Sequence, residues 1–167
     1  MGIVAPRPRP REPVETKDIE RHDRIILQLL QKNDKISLSD LAGKTGLAPS
    51  SVHYRIKKLE EDGVIKGYGA IVDPVKLGYD ILAVSFVKSR YDPNAYERLG
   101  RALTRIPGVW AVYFLMGDMD YVVLIRAKNR TDLNRIVYKL ISMKDVERSD
   151  TRMVMERIKE DIRVPTD

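Results

Sequence analysis

Residues 46–60 read GLAPSSVHYRIKKLE, and this stretch decides the fold of the N-terminal half. Pro49 suits the first turn of an α-helix, and Gly63 is of the residue type that commonly follows a helix end. We therefore predict a helix over 49–61. Its apolar side chains fall within a narrow arc, as side chains do when they face a core: Val52, Ile56 and Leu59.

Two further helical patterns precede this helix. Residues 17–32 carry apolar side chains at helical spacing, and residues 37–46 form a short capped pattern that stops at a glycine. Three helices within about 45 residues, the last two joined by a tight Gly-Leu-Ala turn, are typical of a helix-turn-helix. The pattern of residues 64–72 then predicts a short strand, or wing.

The second half of the chain alternates strand and helix patterns. Strands are predicted over 80–88, 109–116, 121–127 and 146–158, and helices over 93–106 and 131–141. The order βαββαβ is that of a ferredoxin-like sandwich of one sheet and two helices, so we expect an α+β protein. Its apolar face is broad for a domain of about 85 residues, which favours cover by another subunit.

These patterns divide the chain into five parts. They are a Pro/Arg-rich flexible tail (1–16), a helix-turn-helix domain (17–72), a linker (73–79), a ferredoxin-like domain (80–160) and a C-terminal tail (161–167). The first part contains four of the nine prolines, which disfavour helix and predict an extended conformation. Its Arg-Pro alternation suits a basic arm that follows phosphates, and an ordinary free terminus is the alternative.

Composition excludes several classes of protein. The chain of 167 residues is 43% hydrophobic and 32% charged, which fits a soluble globular protein. It has no cysteine, so disulfides, thiolate metal sites and cysteine nucleophiles are excluded. No apolar run approaches the roughly 20 residues of a membrane-spanning helix, and no signal-peptide core is found. We therefore expect a cytoplasmic protein without a membrane partner.

The sequence shows no pattern that predicts catalysis. Glycine-rich phosphate loops, a Ser-His-Asp arrangement and metal-ligand spacings are all missing, and only two histidines are present. We therefore predict no enzyme, no catalytic residue, no metal and no cofactor other than an amino-acid effector. The net charge of +6 permits a polyanionic partner without proving one.

The outward face of the predicted helix over 49–61 carries hydrogen-bonding and cationic groups, and no acidic residue occurs before Glu60. A recognition helix contacts bases with its N-terminal residues, so this polarity fits DNA binding. The serines and lysines suit phosphates, and the histidine and tyrosine suit base edges. The predicted contacts are Ser50, Ser51, His53, Tyr54, Lys57 and Lys58. A merely solvated helix face is the alternative.

Arg55 and Asp23 fall on the apolar sides of their helices. A lone buried carboxylate or guanidinium is costly, so we predict that the two groups pair and lock the first helix against the third. This structural role is preferred over DNA contact for Arg55.

Five stretches resemble the Lrp/AsnC, or feast/famine, transcription regulators. The resemblance is to the archaeal members of this family. The stretches are IERHDRIIL (19–27), GLAPSSVHYRIKKLE (46–60), DGVIKGY (62–68), GDMDY (117–121) and DVERSDTRMVM (145–155). The similarity covers about residues 17–160, and the motifs of both halves occur in the family's order. Ala48 departs from the family, which usually has a serine cap there, and the proline-rich tail has no family counterpart.

The resemblance implies a winged helix-turn-helix that reads double-stranded DNA and a ferredoxin-like (RAM) domain that senses amino acids. It implies homodimers formed through strands and sheet faces, which assemble into tetramers or octamers. Effectors of the family bind at clefts between subunits, and some members show no known effector.

A free amino acid requires acceptors for its ammonium group and donors for its carboxylate. Asp118 or Asp120 can accept from the ammonium group, and the N–H groups near Gly117 can donate to the carboxylate. These residues lie in a loop that resembles the family's glycine-and-aspartate loop. A plain hairpin is the alternative. Residues of the last strand that share one face match a segment lining the family's cleft: Ser149, Thr151 and Met153. The two hydroxyls favour a polar amino acid such as glutamine.

We therefore expect a sequence-specific DNA-binding regulator whose oligomeric state or DNA binding responds to an amino acid. An effector-independent autoregulatory or architectural DNA-binding protein of the same fold is the alternative.

Overall fold

The computed structural model describes residues 19–90, 92 and 95–166. The tail predicted over 1–16 and the helix start predicted at Pro93 lie outside these residues. The described chain forms two units, 19–70 with 161–166 and 71–160, and each unit has a core of its own. None of the helices in the described ranges has the length and apolar character needed to cross a membrane.

Three helices build the N-terminal unit: α1 (Arg21–Lys32), α2 (Leu38–Thr45) and α3 (Pro49–Glu61). Their buried apolar side chains form one cluster, consisting of Ile26, Leu41, Ala42, Val52 and Leu59. The structure confirms the helix-turn-helix, with α3 at its predicted bounds.

Local chemistry sets the turn between α2 and α3. The backbone N–H of Asp40 donates to Ser37 Oγ at 3.0 Å and caps the start of α2. Gly46 ends α2 at φ 72°, a left-handed conformation that glycine adopts without steric cost. Pro49 then opens α3, although Ala48 supplies no side-chain cap. The short segment 46–48 therefore fixes the direction in which α3 leaves α2.

The predicted strand over 64–72 is wrong for the single chain. All nine of these residues are described, and none belongs to a strand. A strand needs a neighbour to bond its backbone, and the three helices of this unit offer none. The segment is instead tied back to α3, because Ile65 N–H donates to Leu59 O at 3.0 Å and Tyr68 Oη donates to Glu60 Oε1 at 2.7 Å.

The segment around Val164 is hydrogen-bonded to α1. Gln31 Nε2 donates to the carbonyl of Val164 at 3.0 Å, and Val164 N–H donates to Gln31 Oε1 at 2.7 Å. The segment predicted as a tail over 161–167 is therefore held, at this point, by a pair of hydrogen bonds to the N-terminal unit.

The C-terminal unit is a four-stranded antiparallel sheet with two helices. A 3-10 helix (Val75–Leu77) precedes β1 (Ile81–Ser89), α4 (Ala95–Leu103), β2 (Val109–Phe114), β3 (Tyr121–Ala127), α5 (Arg130–Ile141) and β4 (Val146–Met153). The strand order is β2-β3-β1-β4, so β4 and β2 lie at the edges. This confirms the predicted ferredoxin-like βαββαβ arrangement and the α+β class.

The last strand is shorter than predicted, since it ends at Met153 instead of residue 158. Val154 N–H still donates to the carbonyl of Leu82 at 2.8 Å. β1 begins at Ile81, so the residues after Val154 have no neighbouring strand with which to pair.

The two faces of the sheet differ. Alternate residues of β1 and β3 are buried beneath α4 and α5 and form the core of this unit. The apolar residues of the other face are only half-buried: Leu82, Val84, Phe86, Val122 and Leu124. Trp110 adds an indole that is 39% exposed, and the Arg126 guanidinium lies 4.5 Å from its ring centre. This open apolar face remains uncovered by the described chain.

Candidate nucleic-acid interface and effector loop

The N-terminal part of α3 presents a polar surface to solvent. All six side chains predicted to contact DNA are exposed, which are Ser50, Ser51, His53, Tyr54, Lys57 and Lys58. Tyr54 is 67% exposed, although a phenol ring is largely apolar. The buried residues Val52 and Leu59 hold the opposite side of the helix in the core. We call this exposed set the α3 polar face.

A groove of about 580 Å³ runs beside the α3 polar face. The chain entering α1 forms one side of the groove, with Ile19 and Glu20, and α3 forms another, with Ser50, Tyr54 and Lys58. The start of the described chain therefore lies at the edge of the candidate interface.

Arg55 ties the two sides of this groove together. Its Nη1 donates to Asp23 Oδ1 at 3.0 Å, which is the pair expected from the sequence, and lies 2.7 Å from Glu20 Oε2. The pKa of Arg55 is raised most by the hydrogen bond to Asp23 and next by that to Glu20. In turn, the hydrogen bond from Arg55 lowers the pKa of Glu20. Arg55 thus binds two carboxylates at the start of α1 and holds α3 against α1.

Sequence reasoning missed Glu20, although a signal for it exists. Glu20 and Asp23 are three residues apart at the start of α1, a spacing that places two side chains on one side of a helix. A cation facing one of these carboxylates therefore also faces the other.

A double-mutant cycle tests this lock. The cycle of Arg55→Met and Asp23→Asn should give a coupling of about 1–2 kcal/mol in the free energy of unfolding, since both groups are partly buried. Lys57 and Glu61 form the control pair: they are 3.6 Å apart and 66% and 65% exposed, so their coupling should stay near 0.3 kcal/mol. Equal couplings in the two cycles would show that Arg55 does not lock α1 to α3.

The loop 117–120 holds the second set of candidate residues. Asp120 accepts from the N–H and Oγ of Ser89, each at 2.7 Å, and Lys88 Nζ lies 3.3 Å away. Burial alone raises the pKa of Asp120, but the bonds from Ser89 and Lys88 outweigh it and lower the pKa below its usual value. The carboxylate of Asp120 is therefore occupied in anchoring the loop.

Asp118 is placed differently from Asp120. Its side chain is 84% exposed and meets Arg148 Nη2 at 3.0 Å. Gly117 precedes it with a φ of 151°, a backbone conformation suited to glycine. The exposed carboxylate and guanidinium at this end of the sheet form a charged pair that an amino acid's two charged groups can complement.

The β4 candidates share a face, as their alternation predicts. Ser149, Thr151 and Met153 lie opposite Val87, Ser85 and Ala83 of β1, which are buried on the helix-covered side. The Thr151 hydroxyl lies 2.8 Å from the Ser85 hydroxyl, so this group already has a partner. Met153, at the end of the strand, is 56% exposed.

Within one chain the two sets of candidate effector residues do not form one pocket. Asp118 and Asp120 bond to Arg148 and Lys88, which alternate with Ser149 and Val87 and so lie on the other face of the sheet. Met153 lies a further four residues along β4 from Ser149, or about 14 Å. Within one chain, the two sets therefore face opposite sides of the sheet.

Among the described residues, no group of three histidine, cysteine, aspartate or glutamate side chains could hold a metal ion.

Comparisons with known proteins agree with this geometry. Residues 19–66 match the family model described as winged helix-turn-helix DNA-binding, and residues 83–164 match the Lrp/AsnC ligand binding domain. A curated relative from Pyrococcus furiosus, the HTH-type transcriptional regulator FL11, is 39% identical over 143 residues, which cover 86% of this chain and 93% of the relative.

Two solved structures are similar over most of the chain. A transcriptional regulator from Neisseria meningitidis, solved with L-Met, has a TM-score of 0.83 at 26% identity and covers 87% of this chain and 96% of its own. A feast or famine regulatory protein from M. tuberculosis, complexed with L-methionine, has a TM-score of 0.78 at 26% identity, with coverages of 86% and 97%.

Proposed function

Because the chain belongs to the Lrp/AsnC family of transcription regulators, we propose that its α3 polar face binds operator DNA under the control of an amino acid bound between subunits. The family consists of regulators and not of enzymes, and its members combine a DNA-binding helix-turn-helix with an amino-acid-binding domain.

The α3 polar face carries the DNA-binding part of the proposal. Its serines lie at the helix N-terminus, where free backbone N–H groups also favour phosphate. Tyr54 and His53 follow within one turn and suit base edges in the major groove, and Lys57 and Lys58 suit the flanking phosphates. The first acidic residue of the helix is Glu60, near its end, so α3 itself places no carboxylate at the entering end.

Subunit association is the second part of the proposal. The open apolar face, centred on Val84, Phe86 and Leu124, fits a second copy of the chain, since an apolar surface of this kind is stabilised by removal from water. Two copies related by a twofold axis present two α3 helices to successive major grooves of a palindromic site. We propose dimers that assemble further into tetramers or octamers.

The effector site is proposed at a cleft between subunits. In one chain, Asp118 and Ser149 lie on opposite faces of the sheet. A cleft lined by both the loop 117–120 and the β4 candidates therefore takes the two sets from different subunits. Two relatives were solved with L-methionine, which supports an amino acid as the class of ligand. The Ser149 hydroxyl favours a polar side chain, as does the hydrogen-bonding capacity that the Thr151 hydroxyl retains beside Ser85. Glutamine is our first candidate. Such a ligand shifts the assembly equilibrium by its differential affinity for the assembly states.

Selection from a pool of random duplexes tests DNA binding. The full chain should select a palindromic sequence and bind it at least about 1,000-fold more tightly than random duplex at physiological salt. The logarithm of the affinity should also fall linearly with the logarithm of the salt concentration, because phosphate contacts release counterions. Equal affinity for selected and random duplex would contradict the proposal.

Calorimetry against the twenty amino acids tests the effector. We expect one of them to bind, to shift the sedimentation profile and to bind at least about tenfold more weakly to Asp118→Ala. The matched control is Glu147→Ala, which removes an exposed carboxylate of β4 outside the candidate set. This variant should bind the amino acid as tightly as the wild type does. No binding across the panel would contradict the effector site and favour the effector-independent alternative.

A further inference from the structure

One polar side chain lies within the core of the C-terminal unit. Ser85 of β1 is 0% exposed and is the one buried polar residue in the part of the chain that the structure describes. The side chains beside it are apolar: Ala83 and Val87 lie two residues away on the same face of β1, and Val123 of β3 lies opposite. Because a buried hydroxyl is costly without a hydrogen bond, Ser85 needs a partner within the protein.

That partner is Thr151 of the edge strand β4. The two residues lie directly opposite each other in the ladder between β1 and β4, and their hydroxyl oxygens are 2.8 Å apart. Among the described residues, Thr151 is the one hydrogen-bond partner of the Ser85 hydroxyl. Each hydroxyl has one proton and two lone pairs, so one of the two donates and the other accepts.

Burial decides which hydroxyl donates. If Thr151 donated, the Ser85 proton would lie in the apolar core without an acceptor, at the full cost of removing that donor from water. If Ser85 donates, its single proton is used, and the Thr151 proton stays available. Thr151 is only half-buried, so its proton can reach solvent or a ligand. The second arrangement is therefore the one in which no buried donor lacks an acceptor.

We propose that Ser85 is a positioning residue that fixes Thr151 as a hydrogen-bond donor toward the effector, whose side chain therefore ends in an acceptor oxygen. The proposal rests on the proposed function, in which Thr151 lines the effector site. It selects amino acids with a side-chain carbonyl or carboxylate oxygen, such as glutamine, and rejects those that offer only donors there, such as lysine. The bond from Ser85 to Thr151 also strengthens the bond from Thr151 to the effector, because consecutive hydrogen bonds polarise one another.

A double-mutant cycle without ligand tests the direction of the bond. Thr151→Val keeps the size of the side chain but leaves the Ser85 proton without an acceptor. It should lower the urea midpoint reported by Trp110 fluorescence by about 1 M, and Ser85→Ala alone should lower it less. The variant S85A/T151V should regain most of the midpoint lost in Thr151→Val. Thr104→Val removes an exposed hydroxyl outside the pair and should stay near the wild type.

Calorimetry with L-glutamine and L-ornithine tests the class of ligand, since ornithine ends in an ammonium group that only donates. The wild type should bind glutamine at least about tenfold more tightly than ornithine, and Thr151→Val should lose about tenfold in affinity for glutamine. In Ser85→Ala the Thr151 hydroxyl is free to accept, so the ratio of the two affinities should narrow at least about threefold. A merely structural role for Ser85 would weaken both ligands alike and keep the ratio. Thr104→Val should keep both affinities.

The outcomes separate this proposal from the proposed function. Equal midpoint losses in Ser85→Ala and Thr151→Val that add in S85A/T151V would overturn the direction of the bond. Preference for an amino acid without a side-chain acceptor oxygen, or an unchanged ratio in Ser85→Ala, would overturn the role of Ser85 and leave the effector site standing. If the wild type bound none of the twenty amino acids, the proposed effector site would fail and the ligand class with it, whereas the midpoints would still decide which hydroxyl donates.

Discussion

Replacing Gly108 with alanine should lower the free energy of unfolding of the C-terminal unit by about 3 kcal/mol. Gly108 has a φ of 98°, which an L-residue with a side chain rarely adopts. An added Cβ would lie 2.5 Å from Ile136 Cδ1 and 2.8 Å from the carbonyl oxygen of Arg126. Arg126 N–H donates to the Gly108 carbonyl at 2.8 Å, so the backbone of β3 cannot withdraw without breaking that bond.

Urea denaturation followed by tryptophan fluorescence measures this effect. Trp110 is the only tryptophan of the chain and lies two residues from Gly108, so its fluorescence reports on the C-terminal unit. Gly43→Ala is the matched control, because Gly43 lies in α2 with nothing within 4 Å of its added Cβ. It should stabilise α2 by about 0.5–1 kcal/mol and leave the Trp110 transition unchanged. A wild-type midpoint for Gly108→Ala would refute the crowding at this position.

Reversing two charges on the α3 polar face should abolish specific DNA binding. We expect Lys57→Glu combined with Lys58→Glu to lower affinity for the selected duplex at least about 100-fold, since two cations near phosphates become anions. Both side chains are exposed, so the helical circular dichroism signal and the unfolding midpoint should stay close to those of the wild type. Fluorescence anisotropy with a labelled duplex measures the affinity.

The control for this variant changes net charge equally at another place. Lys139→Glu combined with Lys144→Glu alters two exposed lysines of the C-terminal unit. This pair should weaken binding only about threefold, through long-range electrostatics. If both double variants lost affinity alike, overall charge and not the α3 polar face would account for DNA binding.

The elements that the sequence predicts best have chemical markers at both ends. Pro49 and Gly63 bracket α3, and its predicted bounds are those observed. The strand β3 also matches its prediction, because it follows the Gly-Asp hairpin and alternates regularly into the core. Such signals are local and do not depend on the rest of the fold.

The errors concern features that depend on partners distant in sequence. The strand predicted over 64–72 has the composition of a strand but no neighbouring strand in the single chain. The β4 prediction runs five residues too far because the start of β1 limits its pairing. Both errors arise because a strand needs backbone hydrogen bonds to a neighbouring strand, and the pattern of apolar residues does not show whether that neighbour exists.

The candidate sites show the same division. The exposure of the α3 polar face follows from helical geometry alone. In contrast, Asp118 and Asp120 look equivalent in the sequence, yet one is 84% exposed and the other is bonded to Ser89. Ser89 lies 31 residues away along the chain, so only the tertiary structure distinguishes the two carboxylates.

Crosslinking to DNA shows whether α3 enters the major groove. The chain has no cysteine, so His53→Cys introduces a single thiol on the α3 polar face. Duplexes with a thiol tethered to N4 of a cytosine, held as a mixed disulfide with a small thiol, present that disulfide in the major groove. A cysteine thiolate of the protein can attack it and release the small thiol. We predict that His53→Cys forms a disulfide with the selected duplex, whereas Tyr138→Cys, at an exposed position of α5, does not. No crosslink from His53→Cys, or an equal yield from both positions, would contradict the account.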